Sequence, residues 1–372
     1  MPKPAPFPAR FAQRALVPAI ALIFLLAGCS LPSAQSPSTA VNAEPLAPLS
    51  SIEKLSNPRG YFGESTAVLQ QQNIVPVATN PTPTLPVTVT DNQGTKVTIR
   101  DTSRVLALDI YGSLAATVYG LGLGGSLVGR DVSTGFAEAS TLPLVTQNGH
   151  ELNGEAVLEL APTVIITDTT VGPWDVILQL REAGIAVVIT DSHRDMTNVG
   201  TIVQQVAAAL GVKAEGAQLA ERVRGEIDAK IAEIATLAPV NASDRVRVVF
   251  LYVRGTAGVY YMFGEESGAD SLIQALGAVD VATEIGWKGM RPINAEALVE
   301  MKPDLILMMT KGLESVDGVD GLLERVPAVA NTPAGQNRRI VDMSDYEILS
   351  FGPRTADVLD ALARAIYAPK AR

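Results

Sequence analysis

The chain has 372 residues, 47% of them hydrophobic, and a formal net charge of −10, so it holds ample apolar material for a large core and lacks the basic surplus that nucleic-acid binding requires. A single cysteine, Cys29, excludes an internal disulfide and a thiolate metal cluster, and two histidines, His150 and His193, are too few for the usual multi-histidine zinc or manganese site.

Residues 1–28 read as a targeting segment. Lys3, Arg10 and Arg14 precede the apolar run "ALVPAIALIFLLA" at 15–27, which is short for a bilayer span and ends in "LAGC" at 26–29. That ending resembles a bacterial lipobox, which implies cleavage before Cys29, acylation of its thiol and an anchor on the outer face of the cytoplasmic membrane. Loss of three cations and no acid takes the net charge from −10 to −13. Residues 29–86, rich in Pro, Ser, Ala, Thr and Asn, show no periodicity until their end and read as a flexible tether.

The folded body is expected from Val87, where "VTVTDNQGTKVTIRD" places two alternating runs around a turn, a β-hairpin. Short apolar strands then alternate with helical stretches: 105–109, 127–130, 163–167 and 186–190, and again 248–253, a short one near Val279, 305–309 and 339–343. Such alternation predicts an α/β fold with two lobes, at 87–196 and 239–372, each built on a parallel sheet. Between them, 197–238 is almost wholly helix-forming with one break at "LGV", and a helix of roughly 25 residues from Lys213 would measure about 37 Å.

A repeat supports the two-lobe reading. "NGEAVLELAPTVIIT" from Asn153 matches "NAEALVEMKPDLILM" from Asn294, and "VLALDIYGS" from Val105 aligns with "VVFLYVRGT" from Val248. In that register Tyr252 stands where the first lobe has Asp109, and Arg254 where it has Tyr111. These positions lie at the carboxyl ends of strands, where open α/β sheets bind ligands, so Tyr252 and Arg254 are expected to face a cleft. His150, in the Gly-flanked stretch "TQNGHELNGEA" that enters the repeated helix, is the candidate from the other lobe.

The repeated "N-x-E-A" with its following proline, the segment "FGPRTADVLDAL" at 351–362, and "NGHELN" together with "YVRGT" carry a family resemblance. From about Val87 onward the chain resembles class III substrate-binding proteins of ABC importers, two Rossmann-like lobes joined by one long helix with the ligand cleft between them. Within that class it is similar to the hemin-binding, HmuT-like lipoproteins of heme importers. The resemblance implies heme as the transported ligand, with His150 and Tyr252 as iron ligands and Arg254 bonding the phenol oxygen and tuning it. It also implies an ABC permease as partner, iron uptake as the context and upstream cell-surface heme-binding proteins as further partners. Ferric iron favours a phenolate, and a guanidinium beside a phenol helps it ionise.

Arg291 and Arg354 are candidates for the heme propionates, because arginine suits carboxylates. Glu155 and Glu296, at equivalent positions of the repeat, are candidates for permease docking. No catalytic role is expected: "GLGLGG" at 120–125 leads from helix into strand, the reverse of a dinucleotide site, and the adjacent Ser, His and Asp of "DSHRD" at 191–195 do not form a triad. A siderophore- or corrinoid-binding protein of the same fold is the alternative.

Overall fold

In the first lobe, Val105–Leu108, Val164–Thr167 and Ala186–Ile189 pair in parallel in that order. All residues of the first two strands are buried, as expected when helices cover both faces of a parallel sheet. Val105 and Ala107 look towards the core shared with the linking helix, whereas Leu106 and Leu108 pack in an outer cluster with Val157, Ile177 and Leu180. The stretch expected as a strand at 127–130 is an extended edge segment, bridging to Val105 through Leu127 and to Leu144 through Arg130. This computed structural model describes residues 46–71 and 73–369; Cys29 and the targeting segment therefore lie outside the described residues.

The expected hairpin is formed by Val87–Thr90 and Lys96–Ile99 in antiparallel register. Its turn is organised by Asp91, whose carboxylate accepts from the Gln93 and Thr95 amides at 3.0 and 2.8 Å and pairs with Arg181 at 2.9 Å.

The second lobe carries a mixed sheet ordered Ser65–Ala67, Ile340–Met343, Leu305–Met309, Arg247–Arg254, Val259–Phe263, Met290–Pro292, with Val279–Asp280 also pairing Arg247–Arg254. The first four strands are parallel and the next two antiparallel. The repeat is reproduced residue by residue: Val105 faces Val164 in one sheet, and its counterpart Val248 faces Leu305 in the other.

The recurring residues are helix punctuation. The Asn153 and Asn294 side chains cap their helices by accepting from the Ala156 and Ala297 amides at 3.1 and 3.0 Å. Each helix ends before a left-handed residue, Ala161 at φ 42° and Lys302 at φ 50°, that directly precedes a proline.

The linking helix, Lys213–Leu237, has the 25 residues expected. Leu219, Ala220, Val223, Ile227 and Ile234 line its buried stripe. It packs against the helices Val199–Ala209 and Thr355–Tyr367, and one continuous core runs from the first sheet through these three helices to the second.

The expectation of a flexible tether as far as residue 86 is corrected over its described part. Leu49 is fully buried, Arg59 pairs with Asp304 at 2.7 Å, and Ser65–Ala67 adds a parallel strand to the second lobe. The buried Arg339 guanidinium locks that strand by donating to Ser65 Oγ at 2.9 Å and to the Ala365 carbonyl at 2.7 Å. A three-residue strand pairing with a partner 276 positions later has no periodicity of its own to read.

Candidate functional site

Tyr252 and Arg254 close the strand Arg247–Arg254. Alternation sends Val249, Leu251 and Val253 into the outer core of the second lobe, and turns Phe250 and Tyr252 to the inner face. There the Phe250 and Tyr252 rings stack on Phe263 at 4.9 and 6.1 Å between centroids, and Tyr261 stands directly across from Tyr252. The aromatic stack fixes the half-buried tyrosine ring.

The Arg254 guanidinium folds back over that ring, 4.5 Å from its centroid, an arrangement in which cation and π face attract. It is held there by Asp345 Oδ1 at 2.5 Å and by donation to the Val253 carbonyl at 2.8 Å. The other Asp345 oxygen accepts from the Lys311 amide at 3.0 Å, so one carboxylate ties together the ends of three neighbouring strands. The pairing of Tyr252 with Arg254 follows the expectation, but the guanidinium lies on the ring face rather than on the phenol oxygen. Asp345 was not foreseen; its side chain is recruited from 91 residues away.

His150 stands at a hairpin tip between the short strands Thr146–Gln147 and Glu151–Leu152, where Asn148 and Gly149 adopt φ of 47° and 90°. Its ring is open to solvent, yet enough protein surrounds it that desolvation lowers its pKa below the ordinary 6.5, and the Arg254 charge lowers it further while Asp109 opposes. Arg254 of the second lobe and Asp109 of the first are thus the two charges that bear on His150. A neutral imidazole is the form that ligates a metal.

The first lobe's copies of the tyrosine and arginine positions have a different fate. Asp109 is fully buried, accepting from Ser113 Oγ and from Arg194 Nη2 at 3.0 Å, while the same guanidinium nitrogen donates to Asp168 at 2.8 Å. Arg194 also lies 5.0 Å from the centre of the Tyr111 ring. Asp131 accepts from the Asp109 and Thr134 amides. Burial and the neighbouring Asp109 charge push Asp131 up to about 7 and Asp168 up to about 6. This is a closed ionic knot at the strand ends. Arg194 sits inside the "DSHRD" stretch, whose His193 is an exposed loop residue bonded to Asp195.

Two expected carboxylate contacts are corrected. Arg291 stands opposite Met262, which stands opposite Leu251, so its register puts it on the sheet face away from Tyr252, where it covers the Trp287 ring at 5.9 Å. Arg354 is 4% exposed, 3.7 Å from Glu347 and 5.6 Å from the centre of the Phe136 ring. It is a buried strut between lobes. Glu155 and Glu296 are both exposed in the first turn of their capped helices.

Among the described residues no group of three or more His, Cys, Asp or Glu is arranged around a metal, and no helix is long and apolar enough to cross a membrane. A phenol and an imidazole from two lobes suit an iron whose remaining positions are filled by its own macrocycle.

Residues 110–347 match the periplasmic binding protein family. An uncharacterized ABC transporter substrate-binding lipoprotein of Bacillus subtilis (strain 168) is 24% identical over 291 residues, 77% of this chain and 87% of that protein. Among solved structures, heme binding protein HmuT is 41% identical with a TM-score of 0.80, covering 84% of this chain and 100% of that one. The same protein has been solved with single alanine substitutions of an arginine, a histidine and a tyrosine; the tyrosine and arginine are two positions apart, with the histidine roughly a hundred residues upstream. The periplasmic heme-binding protein RhuT from Roseiflexus sp. RS-1, in apo form, is 34% identical with a TM-score of 0.64, covering 72% of this chain and 99% of that one.

Proposed function

The chain belongs to the periplasmic binding protein family, and on that footing we propose that it captures heme in the cleft between its lobes and delivers it to an ABC-type importer. The observation that carries this reading is Tyr252, seated on an aromatic stack beneath Arg254, with His150 at a hairpin tip of the other lobe. Ferric iron takes a phenolate from one side and a neutral imidazole from the other, and the Arg254 guanidinium supplies the counter-charge to the phenolate bond. Reduction weakens the iron's preference for a hard oxygen donor, which favours release. The spacing of the arginine, histidine and tyrosine replaced in HmuT supports the same three residues here.

The protein works extracytoplasmically, and we assign its anchorage to acylation of Cys29, in keeping with the lipoprotein character of the Bacillus relative. Glu155 and Glu296, one on each lobe, are the acidic contacts we assign to the permease. The residue ranges 87–196 and 239–372 serve as the ligand-gripping lobes, and 197–238 as the link that lets them close on heme. The cleft acts by binding, and no reaction is assigned to it.

The test is absorbance titration of hemin into the purified protein and its variants. Tyr252 is held by a sheet and His150 by a glycine-flanked tip, so the tyrosine gives up less freedom on ligation. Tyr252→Ala is therefore expected to weaken ferric heme binding more than His150→Ala, with Arg254→Ala between. A wild-type protein with no saturable Soret change would refute the function, and His150→Ala as the most damaging variant would refute the ranking.

A further inference from the structure

With Arg291 on the far face and Arg354 buried, the carboxylates of a porphyrin lack both partners that the sequence suggested. Two cations at the carboxyl ends of the two sheets are neutralised, Arg254 by Asp345 and Arg194 by Asp109 and Asp168, while Arg130 is half-buried and gives its guanidinium to the Asp131 and Thr134 carbonyls. Lys311 is different. It is exposed, and among the described residues no carboxylate lies within ion-pair distance of its ammonium group.

Its neighbourhood is built. The Lys311 ammonium donates to the Tyr346 hydroxyl at 2.5 Å and lies 4.3 Å from the centre of that ring. The ring itself rests on Gly135 of the first lobe, so closely that a β-carbon there would come within 2.3 Å of it. Lys311 follows the strand Leu305–Met309, which runs beside Arg247–Arg254, and its amide shares the Asp345 carboxylate with Arg254. The pair therefore stands next to the Tyr252 and Arg254 end of the cleft, at a place where the lobes meet.

We propose that Lys311 and Tyr346 form the carboxylate subsite of the cleft, the place where a propionate of the bound porphyrin is held. An ammonium that gives one hydrogen to Tyr346 keeps two others, and a phenol that accepts from lysine keeps its own proton to donate. A carboxylate arriving between them receives one bond from Nζ and one from the hydroxyl. The subsite selects a carboxylate-bearing macrocycle over one whose side chains are amides or esters. The inference rests on the heme reading of the same cleft.

The experiment titrates hemin and hemin dimethyl ester, in which both propionates are capped, into the wild-type protein and the variants Lys311→Met, Lys311→Arg and Tyr346→Phe. A charge-assisted bond at a solvent-accessible position corresponds to a change of about tenfold. Lys311→Met is expected to weaken hemin binding about tenfold, to leave the ester's affinity unchanged and to keep the ligation spectrum of the wild type. Lys311→Arg keeps most of the hemin affinity, and Tyr346→Phe loses several-fold. If Lys311→Met binds hemin like the wild type, or weakens hemin and ester equally, the subsite is overturned while the heme reading stands. If the wild-type protein gives no Soret change with either compound, the heme reading falls, and the subsite with it.

Discussion

Replacing Asp345 by alanine removes the carboxylate that holds the Arg254 guanidinium over Tyr252 at a distance of 2.5 Å. A hydrogen bond between charged groups contributes about 1.5–3 kcal/mol when buried. Here Arg254 is 28% exposed and Asp345 11%, so water recovers part of the loss and about 1 kcal/mol remains. If the aspartate serves heme only by fixing the arginine, that energy appears as a fall in hemin affinity of about fivefold. The assay is a double-mutant cycle by hemin titration, with Asp345→Ala, Arg254→Ala and the double variant. Arg254→Ala should lose at least as much as Asp345→Ala, and the double variant should lose no more than Arg254→Ala alone. Losses that multiply in the double variant, or an Asp345→Ala protein that binds like the parent, would refute the positioning role.

The His150 pKa is lowered by burial first and by Arg254 second, so Arg254→Ala should raise it, a shift measurable by NMR because the chain has two histidines; an unchanged or lower value contradicts the shared cleft. The sign also bears on stability: as pH falls through the ordinary 6.5 the unfolded chain takes up this proton before the folded one does, so the depressed value destabilises the ligand-free protein on the acid side, and His150→Gln should flatten that part of its urea-unfolding profile. Asn153→Ala and Asn294→Ala each delete a helix cap and should each cost about 1 kcal/mol in urea unfolding, whereas near-zero effects would show that the repeated asparagines are kept for something other than capping. Reversing Glu155 and Glu296 together to lysine should abolish heme uptake by cells while the purified protein still titrates hemin; normal uptake would remove both from docking.

What the sequence makes legible here is local or repeated. Asn153 and Asn294 announce helix starts, the residues before Pro162 and Pro303 mark the stops, and a 25-residue run of helix formers from Lys213 is its own evidence. The juxtaposition of Tyr252 and Arg254 is legible because the repeat aligns the ends of corresponding strands. Features set by long-range pairing are not. Asp345 reaches Arg254 across 91 positions, the Ser65–Ala67 strand depends on a partner far along the chain, and Arg194 is drawn into its buried knot by Asp109 and Asp168, each just past the end of a strand. Arg291 and Arg354 were suggested by residue type alone, and register and burial then separate them from the cleft. Lys311 is the converse case, a lysine with no motif around it that stands out only once the partners of every neighbouring cation are known.

The central claim is that one iron is held between the two lobes by Tyr252 and His150. A crystal structure of the protein grown with hemin measures this directly. The account predicts iron bonded to the Tyr252 oxygen on one face of the porphyrin and to a His150 ring nitrogen on the other, with Arg254 beside the phenolate. Heme bound elsewhere, or iron carrying neither of these side chains, would contradict it.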